Sequence, residues 1–213
     1  MAEGDWGKRD PRGEWQPGEL PKPSPLFSLP WKPLEVLKYL FAPQGFFWPY
    51  NLFYALLAVV CWMFFTPALV RTARFEVGWI AEIYLRNAAL LILISGGLHL
   101  RLYIAKGQGT KFKYTNKWLA KNDSKFLFGN QTWDNMFWNL TSGALIWTAY
   151  EAVTLWLFAN GKIPYVDWRV HPVYCVLLMM LVPFLRQAHF YFVHRLIHWP
   201  PLYKTSHYLH HKN

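Results

Sequence analysis

Apolar positions in this chain fall into long unbroken runs separated by polar, basic stretches. From Asn51 to Val70 about twenty residues carry no charge. As a helix, that run matches a hydrocarbon layer about 30 Å thick. A second run spans about Trp79 to Leu100. It holds Glu82 and Arg86, four apart and able to pair, and ends on Gly96-Gly97, which permits close helix contact, and on His99. A third extends from Asn135 to Ala159, with Thr132 and Asp134 placed to cap its first turn and Glu151 inside it. A fourth begins near Pro172, and Pro183 predicts a kink within it. The pattern predicts an all-α integral membrane fold of about four transmembrane helices across 51–188.

The intervals complete the outline. Residues 1–25 mix charge, glycine and five prolines, and are expected to be a disordered tail. In 26–50, Leu34, Leu37, Leu40 and Phe41 recur at helical spacing beside Trp31, Trp48 and Tyr50, as in a segment lying in the membrane interface. Residues 101–131 form a polar loop with seven lysines and arginines.

Composition agrees with this outline. The chain has 213 residues, 54% hydrophobic, 19% aromatic and only 16% charged, which is too apolar for an ordinary soluble domain. A net charge of +10 could serve a nucleic acid or an anionic membrane. The cations flank apolar runs and form no separate basic domain, so no nucleic-acid partner is expected. With the N-terminus inside, seventeen lysines and arginines lie on the inner side and four on the outer turns. This places the C-terminal histidines on the cytoplasmic side. Cys61 and Cys175 each sit in an apolar run, as packing residues do.

Six of the eight histidines lie within the last twenty-five residues. His194 and His198, four apart, share a helix face; so do His207, His210 and His211. Pro200-Pro201 ends the first helix near His198 or Trp199 and allows a second to start at Pro201. Two short helices around a sharp corner can aim both histidine faces at one point. Neutral imidazole is the commonest metal ligand near neutral pH, and an all-nitrogen set suits zinc, copper, iron or nickel. His189 points away from His194 and His198 on an ideal helix and is a candidate supporting residue, as His99 is a candidate extra ligand. Glu151, an intramembrane carboxylate, is a candidate functional group. Its structural alternative is a hydrogen bond between helices, with Thr148 and Tyr150 nearby.

His194-Arg-Leu-Ile-His198, followed by His207-Tyr-Leu-His-His211, resembles the first two histidine boxes of the fatty acid hydroxylase/sterol desaturase superfamily. Phe190-Tyr-Phe-Val193, Pro201-Leu-Tyr-Lys204 and Phe128-Gly-Asn-Gln-Thr-Trp-Asp-Asn135 fit the same likeness, which covers about residues 90–213. The resemblance implies a membrane enzyme holding two irons in a histidine cage in a cytoplasmic helical cap, begun here by 189–213. It implies hydroxylation or desaturation of a sterol or fatty acyl lipid with dioxygen, and electrons from a b-type cytochrome or a ferredoxin. It implies the endoplasmic reticulum for a eukaryotic chain and the inner membrane for a bacterial one. Further histidines are expected after His211, so the chain reads as a piece of a longer frame or a truncated product. The compact box spacing favours this group over the membrane acyl desaturases. A carotenoid hydroxylase of the same superfamily and a non-catalytic metal-binding membrane protein are the alternatives.

The chemistry has a physical requirement. Breaking an unactivated C–H bond needs an oxidant that side chains cannot supply, so the protein must hold and orient a redox metal. Zinc, without redox activity, would not serve.

Overall fold

The computed structural model describes residues 7–18 and 23–208. The described chain is mostly helical, with one two-stranded hairpin, and it divides into two compact units. One draws on Met1–Pro23 and Arg74–Thr154, the other on Ser24–Ala73 and Leu155–Asn213.

The first unit begins where disorder was predicted. Strand β1 (Gly7–Arg9) pairs antiparallel with β2 (Trp15–Pro17). Asp10 closes the turn by accepting from the backbone N–H groups of Arg12 and Glu14, both at 2.9 Å. Gly13 stands at φ +81°, and a Cβ there would strike the Asn116 side chain. The hairpin is held from far along the chain. The Arg9 guanidinium donates to the carbonyls of Gly13, Thr110, Lys113 and Tyr114, and Trp15 N–H donates to Tyr114 O at 2.7 Å. Polar composition argued for disorder because it buries little; these long-range backbone bonds supply the missing order.

Helix α3 (Val77–Ile104) follows in this unit, after α1 (Pro33–Phe41) and α2 (Tyr50–Phe65) of the other. It contains two π turns, Ile92–Gly96 and Leu100–Ile104. Its buried stripe is Trp79, Ile83 and Asn87, each four residues on. Helix α4 (Gln131–Trp138) passes through a π turn, Asn139–Gly143, into α5 (Ala144–Ala159). On α5 the buried residues Ala144, Thr148 and Ala152 are again four apart and small, so the two stripes can approach closely. Tyr84 donates to the Leu140 carbonyl inside the π turn at 3.2 Å. The cap of α4 is Asn130, whose Oδ1 accepts from the backbone of Thr132 and Trp133. The predicted cap residue Asp134 is fully buried and accepts from Leu127 N–H at 2.9 Å.

The second unit holds α1 (Pro33–Phe41), α2 (Tyr50–Phe65), the C-terminal turn of α5 and α6 (Pro172–Ile197). The first apolar run is shorter as a helix than predicted. Thr66, before Pro67, is extended, with φ −106° and ψ 132°, so α2 stops at Phe65. Helix α6 continues through Pro183, although that position lacks an N–H. Phe184 on α6 stacks on Phe46 at 4.7 Å and meets Phe47 edge-on at 6.0 Å. Thr72 is buried and donates to the carbonyls of Leu69 and Leu155. Between α2 and α6 runs an apolar groove of about 570 Å³, lined by residues from Phe41 to Val59 and from Val176 to Pro183.

Two described helices, α3 and α6, are long and apolar enough to cross a membrane. Only 22% of the apolar stretch of α3 and 6% of that of α6 is buried, whereas the core helix of a soluble protein would be mostly covered.

Candidate metal centre

The histidine segment folds as its spacing requires. Helix α6 places His194 and His198 on one face and ends at Ile197, with His198 as its cap. Trp199, before Pro200, is extended, with φ −61° and ψ 131°, and this single residue makes the corner. A helical turn starts at Pro200, where the missing N–H costs nothing, and widens into a π turn over Tyr203–His207. Thr205 Oγ1 donates back to Pro201 O at 3.1 Å and steadies that turn. His207 is carried back toward α6 and buried, with 3% exposure.

Three rings converge through the same atom. His198 Nε2 lies 3.1 Å from His194 Nε2 and 3.1 Å from His207 Nε2. The ring centroids of His194 and His207 are 4.9 Å apart, so the three close a triangle. Among the described residues these are the histidines, cysteines and carboxylates grouped closely enough to bind a metal ion. At a metal–nitrogen distance of about 2.0–2.1 Å, a 3.1 Å edge subtends roughly 95–100° at the ion. That angle suits one face of a tetrahedral or octahedral site. A neutral imidazole offers one N–H and one lone pair. With the protons on Nδ1, the three Nε2 lone pairs share one point that a cation can occupy; with a proton on Nε2, the same 3.1 Å contacts are N–H···N hydrogen bonds. The donor set therefore fits a metal on chemistry as well as distance.

Neighbouring aromatics fix the rings. Phe190 stacks on His194 at 5.1 Å and 28°, and Tyr203 stacks on His198 at 5.9 Å and 29°. Phe190 and His194 share the i, i+4 spacing that links His194 to His198, which is the sequence signal that could have identified Phe190.

The other predicted site residues fare differently. His210 and His211 lie outside the described residues. His189 is exposed on α6 and stands outside the three-histidine group. His99 stacks on Tyr103 at 5.4 Å, and its buried Nε2 has no hydrogen-bond partner among the described residues. Glu151 meets Arg86 on the neighbouring helix. Its Oε2 receives the Arg86 guanidinium in an ion pair that is 10% exposed on the arginine side and 23% on the glutamate side. Arg86 thus reaches across to α5 for this carboxylate. Asn87, fully buried, accepts from Arg86 at 2.9 Å and donates to Thr148 Oγ1 at 3.3 Å and Glu151 Oε2 at 3.5 Å. Thr148 passes its own proton to Ala144 O at 2.7 Å. Asn87 had no sequence signal beyond being an amide inside an apolar run.

Fold and site together define a helical protein with two membrane-length apolar helices and a metal-competent group of three histidines at the end of one of them. No protein-family model, no curated protein and no solved structure matches the chain.

Proposed function

We propose that this chain is the membrane and metal-binding part of an iron- and dioxygen-dependent oxidoreductase that hydroxylates or desaturates a sterol or fatty acyl lipid. The observation that carries the proposal is the convergence of His194, His198 and His207, with His198 Nε2 3.1 Å from the Nε2 of each of the other two. Iron bound there, and a second iron with further histidines, would supply the oxidising power for a C–H bond. The chain's own residues do the rest. His194, His198 and His207 would hold the ion, and Phe190 and Tyr203, stacked on two of those rings, would keep them oriented. The Pro200-Pro201 corner sets the approach of His207.

The membrane reading rests on apolar surface. Leu177, Val182 and Leu185 on α6 are each more than half exposed. Uncovered apolar area costs about 25 cal/mol per Å² in water, so such a helix belongs in lipid. In the proposal α2 and the α4–α5 pair are the remaining two of four spans, with the histidines on the cytoplasmic side, where a b-type cytochrome or ferredoxin delivers electrons. The groove between α2 and α6 gives a lipid chain an apolar path on the helix that carries His194.

Lipid profiling of a host expressing the full reading frame tests this reading. A hydroxylated or newly unsaturated lipid is expected with the wild type and is lost in His194→Ala and His207→Ala. Product formation in either variant would overturn it. Bound metal without any lipid product would favour the second reading, a non-catalytic metal-binding membrane protein. Three described ligands, enough to grip one ion, are the observation on that side.

A further inference from the structure

The loop after α3 brings cations together. Residues 101–131 contain seven lysines and arginines against one acid, Asp123, whose carboxylate is taken up by Lys125 N–H in its own turn at 3.0 Å. Two of these lysines meet on one indole. Lys106 Nζ lies 4.7 Å and Lys113 Nζ 4.0 Å from the Trp118 ring centre, and Lys113 is also 5.0 Å from the ring of Tyr103. Arg9, tied to the carbonyls of Thr110 and Lys113, adds a third cation from the hairpin.

Among the described residues no carboxylate is paired with Lys106 or Lys113. The ammonium of Lys113 is held below the ordinary lysine value first by burial and then by the charges of Arg9 and Lys106, all acting in one direction. The nearby carboxylates are engaged elsewhere: Glu14 accepts from the Tyr114 hydroxyl at 3.0 Å, and Asp10 accepts from the backbone of its own turn. A hollow of about 230 Å³ opens beside Lys113, with Gln108, Tyr114 and Thr115 on its wall. Like charges gathered around aromatic faces at the edge of a pocket are stabilised by an anion.

Position selects the anion. Helix α3 ends at Ile104, two residues before Lys106, and Tyr103 and Trp118 are the residue types that sit at headgroup depth. Basic groups directly after a membrane-length helix attract anionic headgroups. We propose that Lys106 and Lys113, framed by Tyr103 and Trp118, form a binding site for the phosphate of an anionic phospholipid. The site rests on α3 lying in a bilayer, but it is independent of the histidines.

The test is the chain reconstituted in phosphatidylcholine bilayers with trace spin-labelled phosphatidylglycerol or phosphatidylcholine. The motionally restricted fraction of each label is measured by electron spin resonance. Selection of the anionic label on the order of fivefold is expected at low salt, falling as salt is raised. Lys106→Gln/Lys113→Gln should abolish it, and Lys106→Arg/Lys113→Arg should keep it. Metal retention in the same samples reports separately on the histidine site and should not change. Equal restriction of both labels by the wild type overturns the proposal, even where the glutamine variant fails to fold. Loss of selection on adding millimolar inorganic phosphate would mark a free-phosphate site and also overturn it. An acidic protein that binds the wild type while neither lipid is selected would reassign the cluster as a protein-docking surface.

Discussion

Arg86, Asn87, Thr148 and Glu151 in one unit and His194, His198 and His207 in the other both bring polar side chains together on apolar helices, with opposite chemistry. In the first group unlike partners meet: the guanidinium finds a carboxylate and an amide oxygen, the amide finds a hydroxyl, and the hydroxyl finds a carbonyl. In the second, three identical rings present the same nitrogen to one another. A complementary set is complete in itself and joins helices. A convergent set of like rings is grouped closely enough to bind a metal ion. The contrast separates a structural polar cluster from a ligand site without reference to any relative.

The largest effect should come from breaking the complementary set on one side only. Glu151→Ala removes one carboxylate from the largely buried Arg86 guanidinium, and a loss of about 3–5 kcal/mol is expected in reversible unfolding of the detergent-solubilised chain. The double variant Arg86→Met/Glu151→Leu should recover most of that loss. If it is no more stable than Glu151→Ala, the pair is not the relevant partner.

Next is the histidine group. His194→Ala or His207→Ala should weaken metal retention by roughly 100-fold or more, since even supporting residues are worth 10–100-fold. Helicity by circular dichroism should be unchanged. Wild-type metal content in both variants would place the ion elsewhere.

Asn87→Leu should cost about 1–3 kcal/mol, through the donors and acceptors it leaves without their buried partner. Metal retention should not move; a coupled loss would undo the distinction drawn between the two clusters. The smallest effect is expected from Phe190→Leu or Tyr203→Leu. These free a ring to turn and should loosen metal binding by up to about tenfold while leaving unfolding by denaturant close to wild type.

The contrast also explains what could be read early. The histidine face was legible because it depends on neighbours: four residues make about one turn, and a residue before proline leaves the helix. The bend at Trp199 and the convergence of His198 and His207, nine apart, followed from those two rules. The contact of Arg86 with Glu151 was not legible. Glu151 is 65 residues away and is reached because the stripes of α3 and α5 pack. The N-terminal hairpin escaped for the same reason. Its anchoring bonds from Arg9 run to Thr110, Lys113 and Tyr114, about a hundred residues on, and composition near the terminus carries no trace of them.

Local order therefore belongs to the amino-acid sequence itself. The apolar runs become helices, prolines at 67 and 200 end α2 and α6 where they stand, and imidazoles four apart share a face. Which polar groups meet across helices, as Arg86 meets Glu151, was decided only in the tertiary structure. Those choices depend on which stripes come within hydrogen-bonding distance, a property of packing between distant segments that no short window contains.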